Sequence, residues 1–509
     1  MSDQVATGAQ FRGIGKPRDA QARLLLPLRL PRRSAAAACA ALEGASLLGA
    51  PRTWQRCELK HFYRDEVSPQ VRALLSPEGE TAGGPLDGRY LRVDPATAQK
   101  WFRDVVVEVS AACELAIELE PSTGIELFVS GHGVGVLSFT FVLAVGTGAG
   151  ELLDAGHSLA QGRRRARGSG RLRTLHPRED ADRWARIPAA ERARMEAEPI
   201  PADDAPLAER LGRRGAAFSL FELAQELLGP LASLGRLETD SGFLVYSAWR
   251  FERAVDFVDA ASRRRFEDLA SSIAQVEEAH HAAATGEDDT AIVAVLNDRH
   301  VAAVCGQGAA HLVADQPEVP FNEERLARVR DKYFVPFLAA LLGRTIARRL
   351  AHEAAAAVHG ADGGGPEKLG ELRRSVLDFS IGATPIESSH RAVVNRYYRM
   401  CEEAMASRRE LERVDRTLAG LDAYLAVQRQ ERLFERVAVS AEQSQWMQRN
   451  LEWIEIFLVF VYTAELAHVG LELWHGPHFW AGLAIASSLA VAGAVIAGVV
   501  LKPWKHHHH

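Results

Sequence analysis

The sequence predicts an α/β (α+β) N-terminal cytoplasmic domain, then a long helical stalk, then a C-terminal two-helix transmembrane hairpin. Three observations predict it. Strand-like runs joined by tight turns recur before Phe321. Beyond Phe321 they stop and helical periodicity takes over. Two long apolar runs then stand near the C-terminus.

Composition sets the outer limits. The chain has 509 residues, 47% hydrophobic and 25% charged, with a formal net charge of −6. Such an average composition excludes a disordered, collagen-like or disulfide-dense chain. The acidic balance argues against a dedicated nucleic-acid binder, and no nucleic-acid partner is expected. The five cysteines, Cys39, Cys57, Cys113, Cys305 and Cys401, form no CxxC pair, so a zinc ribbon or thioredoxin-like motif is not expected. Scattered thiols of this kind suit a reducing compartment. No secretory signal is read at the N-terminus; the Ala-rich run Ser34 to Leu48 starts too late and reads as an ordinary helix.

In the first part, residues 1–320, Leu24 to Leu30 and Val105 to Val109 are candidate strands. Gly124 to Val145 reads as two β-rich runs joined at Gly131-His132-Gly133, a hairpin signal. A comparable unit spans Thr290 to Val313, turning at Asn297-Asp298-Arg299, which suggests two related halves. Between them, about 162–206, lies an Arg-, Glu- and Pro-rich stretch read as an exposed linker with a short helix.

The stalk, residues 321–450, begins with a helical run from Asn322 to Val358, where Pro336 should introduce a kink. Breaks follow at Gly360 to Pro366 and at Gly382 to Ser388. A charged helix then runs from about His390 towards the membrane. Leu411, Val414, Leu418, Leu421 and Leu425 step 3, 4, 3, 4 along it as an a/d seam. That seam fits either packing on the chain's own domain or self-association into a homo-oligomer.

Residues 451–505 are read as the membrane part, with helices at 454–473 and 479–501; 506–509 read as a tag remnant. Phe479 to Leu501 carries no charge and is longer than the ~20 residues that cross a bilayer. Ile454 to Leu473 is as apolar except for Glu455, Glu465, His468 and Glu472. Trp453, Trp474, Trp480 and Trp504 flank the runs as interfacial aromatics would. Basic residues lie before and after the hairpin and none lies in its loop, so both termini are expected in the cytoplasm, at an inner membrane. An ionisable residue at mid-bilayer usually faces water or a partner. Tyr462, Glu465 and Glu472 share one helical stripe and are the proposed pore-lining residues.

Other motifs are weaker. Gly146-Thr147-Gly148-Ala149-Gly150 has the wrong spacing for a dinucleotide fingerprint and reads as a strand-to-helix turn. Glu277 and His281, four apart on a helix, form a candidate metal pair without a third ligand. No Walker A, GxSxG or HExxH sequence occurs, and no enzyme is expected.

An α/β domain, a long charged helix leading into two C-terminal apolar helices, a very short loop and a basic tail together resemble the CorA-type divalent-cation transporters. The resemblance is architectural and covers mainly the last 130 or so residues. That family's Gly-Met-Asn motif is missing, since the matching stretch reads Val469-Gly470-Leu471-Glu472-Leu473-Trp474, so none of its filter residues carries over. The resemblance implies a homo-oligomer, a pentamer, in the lipid bilayer, with a divalent cation such as magnesium as its ion. Divergent CorA-like proteins, some associated with CRISPR defence, are thought to act as signal-gated effectors. Two functions follow: a cation channel gated by its cytoplasmic domain, or a membrane-anchored sensor that binds a nucleotide or a protein regulator and transports nothing.

Overall fold

A computed structural model describes residues 14–30, 35–57, 68–75, 88–110, 113–143, 147–160, 171–179, 181–202, 205–239, 242–252, 259–276, 291–315, 322–359, 366–382, 388–389, 391–473 and parts of 480–495. The chain divides into two compact units, Met1–Leu418 and Ala419–His509.

The first unit is built on a 14-stranded sheet, counted among the described residues. In chain order the strands are β1 (Asp19–Arg29), β2 (Trp54–Arg56), β3 (Arg89–Val93), β4 (Val105–Ser110), β5 (Cys113–Leu119), β6 (Ile125–Ser130), β7 (Val134–Leu143), β8 (Leu172–Thr174), β9 (Ala217–Phe218), β10 (Glu238–Thr239), β11 (Leu244–Phe251), β12 (Ile292–Asn297), β13 (His300–Cys305) and β14 (Gly308–Ala314). The main path runs β12-β13-β14-β11-β1-β7-β5-β4-β8-β9. Branches pair β10 with β1 and carry β2, β3 and β6 onto β7. Pairing is antiparallel except between β11 and β14, which are parallel.

The helices are α1 (Ala35–Glu43), α2 (Pro69–Leu75), α3 (Pro95–Trp101), α4 (Ala149–Ala160), α5 (Ala181–Arg186), α6 (Ala189–Ala197), α7 (Leu207–Arg210), α8 (Leu220–Leu228), α9 (Ala260–Ala274), α10 (Asn322–Lys332), α11 (Phe334–His359), α12 (Pro366–Gly382), α13 (Ala392–Met405) and α14 (Ser407–Leu473). Local chemistry starts several of them. Ser219 and Glu222 form a reciprocal capping box at α8, and Asp259 accepts from the Ser262 amide at α9, each satisfying an orphan helical N–H.

Central strand β1 is buried on both faces, so helices must cover the sheet twice. On one face Leu24, Leu26 and Leu28 join Phe139, Phe141 and Trp249 beneath α1, α4, α8 and α9. Each such fully buried large apolar side chain contributes roughly 1.5–3 kcal/mol. On the other face Tyr246 packs against Phe334 and Phe337 of α11, both at 5.4 Å between ring centres. An ion network crosses that second interface. Arg23 of β1 pairs with Glu126 at 3.2 Å and Asp331 at 3.6 Å, its guanidinium lying 3.9 Å from the Phe334 ring centre.

The hairpin read at Gly124 to Val145 is β6–β7, turning at Gly131-His132-Gly133 with Gly133 at φ 75°, where a side chain would be strained. The unit read at Thr290 to Val313 is β12–β13–β14. Two local readings differ from the structure. The linker read over 162–206 contains β8, whose Leu172 is buried and which pairs with β4; three residues are too few to show alternation. Pro336 does not kink a long helix. Tyr333 separates α10 from α11, and Pro336 falls in the first turn of α11, where its missing N–H has no partner to lose.

The transmembrane hairpin is corrected. Among the described residues no helix is long and apolar enough to cross a membrane. Residues 454–473 are instead the end of α14, a continuous helix of 67 residues, and Glu455, Glu465 and Glu472 with His468 interrupt their apolarity. Residues 474–479 and much of 480–501 lie outside the described residues.

Candidate functional site

A cleft of about 520 Å³ opens where the C-terminal end of β1, the start of β11, the β13–β14 turn and one face of α11 converge. That volume is in the range of small-molecule sites. The sheet register creates it. Leu28 and Arg29 of β1 pair with Thr239 and Glu238 of β10, while the β1–β11 ladder begins only at Leu25 opposite Leu244. The two ladders leave β1 residues Leu26 and Pro27 without a partner on that edge, beside the cleft.

Gly308 opens β14 just beyond the lining residues Gly306 and Gln307. A Cβ on it would stand 2.2 Å from the Val245 carbonyl oxygen and 2.9 Å from that of Ala274, so only glycine lets β14 lie against β11 here. Beside it the Val245 amide donates to the Gln307 carbonyl at 3.2 Å, and the Phe243 amide donates to the Ala160 carbonyl at 3.2 Å.

Arginines dominate the charge. Arg29, Arg344 and Arg348 line the cleft, with Glu238 as the one carboxylate among the described residues. Arg29 pairs with Glu238 at 3.5 Å. Arg344 and Arg348 are one helical turn apart on α11 and so share a face. Arg344 donates to the Gly306 carbonyl, and Arg348 is exposed with no ion pair or hydrogen bond among the described residues. Planar guanidinium groups at this spacing offer paired N–H donors to the oxygens of a phosphate or carboxylate. Phe243, Leu244 and Val276 supply an apolar wall. Charged fork and apolar wall together suit a ligand with an anionic end and a flat or apolar end.

A second polar cluster is closed to solvent. His300 Nε2 lies 2.9 Å from His311 Nδ1, and His311 Nε2 lies 3.0 Å from the Tyr397 hydroxyl. Tyr333 packs across both imidazoles, with ring centres 5.1 and 5.2 Å away. Burial, with His300 adding to it, pushes the His311 pKa well below the usual histidine range. Burial likewise pushes the thiol of Cys401, beside Tyr397, well up. The imidazoles and the Tyr397 hydroxyl are hydrogen-bonded to one another, as buried polar groups must be.

The residues singled out from sequence lie elsewhere. Tyr462 and Glu465 are exposed on α14, and the Glu472 side chain is outside the described residues. Val414 and Leu418 are buried and Leu411 half-buried, whereas the side chains of Leu421 and Leu425 are outside the described residues. Glu277 and His281 also fall outside them, and no cluster of three metal-ligating groups occurs among the described residues. The cleft arginines were missed, yet a signal existed. Phe334 to Gly343 carries no charge, and Arg344 and Arg348 break that apolar helix four residues apart. No protein-family model matches the chain, and no curated protein matches it.

Proposed function

We propose that the first unit is a sensor domain, which binds a phosphate-bearing ligand of the nucleotide class in the arginine-lined cleft and carries out no reaction on it. The observation that carries this reading is the convergence of Arg29, Arg344 and Arg348 on one cleft of about 520 Å³. The cation-channel reading rested on a transmembrane hairpin, and with that expectation corrected the sensor reading stands in its place. In it the chain assembles with copies of itself along α14, where Phe434, Val437, Trp446 and Leu451 stand exposed in the isolated chain.

Equilibrium titration of the full chain with ATP and with inorganic pyrophosphate tests the site. Binding is expected for both, with Arg348→Ala weakening it about tenfold or more, the loss of a charge-assisted hydrogen bond being ~1.5–3 kcal/mol. Absence of binding at millimolar ligand and low salt, or binding indifferent to Arg348→Ala, would sink the reading.

A further inference from the structure

The turn of α11 that lines the cleft also touches the junction of two other helices. On its cleft side stand Arg344 and Arg348. Arg344 Nη1 donates to the carbonyl of Gly306 in the β13–β14 turn and lies 3.9 Å from the sulfur of Met405, the last residue of α13. One residue further on, Ala406 adopts φ 51°, ψ 25°, the left-handed conformation, and ends α13 before α14 begins at Ser407. Non-glycine residues adopt that conformation uncommonly, and at a helix end it serves to close the last turn. Neighbouring elements come close here. A Cβ placed on Gly343 would meet the Cβ of Ser407 at 4.0 Å, and one on Gly306 would meet the Ala404 carbonyl oxygen at 3.9 Å. Arg344 therefore links Gly306 to Met405 at the α13–α14 junction, a knot of contacts beside the cleft.

We infer that Arg344 couples occupancy of the cleft to the α13–α14 junction, exchanging its hold on Gly306 and Met405 for the anionic end of a bound ligand. The inference rests on the cleft reading above and adds its consequence. A guanidinium holds its N–H donors in one rigid plane, so a phosphate bound in paired fashion between Arg348 and Arg344 turns that plane and draws Nη1 away from the Gly306 carbonyl. A charged anion is the stronger acceptor, so the exchange favours the ligand. Once Arg344 turns, the knot loses the contact that spans the β13–β14 turn and the end of α13. Ala406, already in a sparsely populated backbone region, is the point that yields. A ligand shifts such an equilibrium only by its differential affinity for the two arrangements, and Arg344 is where that difference arises.

Hydrogen–deuterium exchange of the full chain tests this, with ATP and inorganic pyrophosphate as probes and the amides of residues 403–410 as readout. Saturating ligand is expected to speed exchange there about tenfold, as expected for loss of one charge-assisted hydrogen bond. Arg344→Gln should show the faster exchange without ligand and respond no further to it. Arg348→Gln should keep the slow basal exchange while binding ligand more weakly. Unchanged exchange of the β1 and β7 amides shows that each variant is folded, and Arg344→Lys, which keeps a donor, should fall between. Ligand that binds in an Arg348-dependent way without altering residues 403–410 overturns the coupling and leaves the cleft reading intact. Failure of both probes to bind overturns both. Wild-type exchange in ligand-free Arg344→Gln overturns the coupling on its own.

Discussion

The Nε2 nitrogen of His311 and the hydroxyl of Tyr397 stand 3.0 Å apart with no solvent between them, joining β14 to α13. Because α13 leads directly into α14, this one hydrogen bond ties the sheet to the helix that precedes the chain's longest element.

The His311 imidazole, kept neutral by burial and by the adjacent His300, gives a pH dependence of defined sign. With its folded pKa lowered, the unfolded chain binds more protons below the ordinary histidine value of about 6.5. The contribution is therefore present above that pH and is lost as pH falls towards the folded pKa. Urea unfolding at pH 7.5 and 5.5 should show lower stability at the lower pH, part of it lost through this group. His311→Gln should remove that part of the loss and lower stability at pH 7.5 by about 1–3 kcal/mol, leaving Tyr397 short of a partner.

Glu120 titrates in the opposite part of the scale. Burial raises its pKa, but the Arg330 guanidinium at 3.0 Å and hydrogen bonds from Ser122 and Thr123 outweigh that and bring it down to about 2. A depressed carboxylate stabilises the fold above its unfolded pKa and loses that contribution as pH falls through the folded one. Acid unfolding of Glu120→Gln, followed by circular dichroism, should show a midpoint less steeply dependent on pH between about 4.5 and 2. At pH 7 the variant should be less stable by about 3 kcal/mol.

Gly308→Ala should be among the most damaging single-methyl changes in the domain. Its Cβ would meet the Val245 carbonyl oxygen at 2.2 Å, and backbone on both sides leaves nothing flexible to move. A thermal-melt loss corresponding to about 3 kcal/mol or more is expected. Gly156→Ala, where a Cβ meets nothing within 4 Å, is the matched control and should be neutral or mildly stabilising.

Ala406→Gly should act in the other direction. Glycine enters the left-handed region without the steric cost that alanine bears, so stability should rise by up to about 1 kcal/mol. A fall in stability would show that the methyl group at Ala406 is held by packing that outweighs its backbone strain.

What the sequence made legible divides along physical lines. Hairpins announced by Gly131-His132-Gly133 and Asn297-Asp298-Arg299 were readable because tight turns have a residue chemistry of their own. β11 was not recognised, although Leu244 to Phe251 is fully buried, because a strand covered on both faces loses its alternation. The α13–α14 junction has neither glycine nor proline at Ala406, so no local signal marks it. Its neighbours Ala404 and Ser407 lie near Gly306 and Gly343, which are distant in sequence. The cleft was illegible for a related reason. Arg29 and Arg344 are separated by more than three hundred positions, and only the register of β1 with β10 and β11 brings them together. The apolar C-terminal runs were the loudest signal in the sequence, yet the described helices do not include one apolar enough to span a bilayer.

The placement of β1 has a consequence for how the chain is made. β1 lies at the centre of the sheet, and the strands that pair with it, β7, β10 and β11, end at Leu143, Thr239 and Phe251. At ~5–20 residues per second, β1 waits about ten seconds or more for its second partner, and its Phe334-bearing cover arrives later still. Until β7 emerges the apolar run from Leu24 to Leu28 has neither neighbour, and until β11 emerges one of its edges still lacks its partner. Nascent chains of this protein are thus expected to need protection by a holding factor until α11 has emerged.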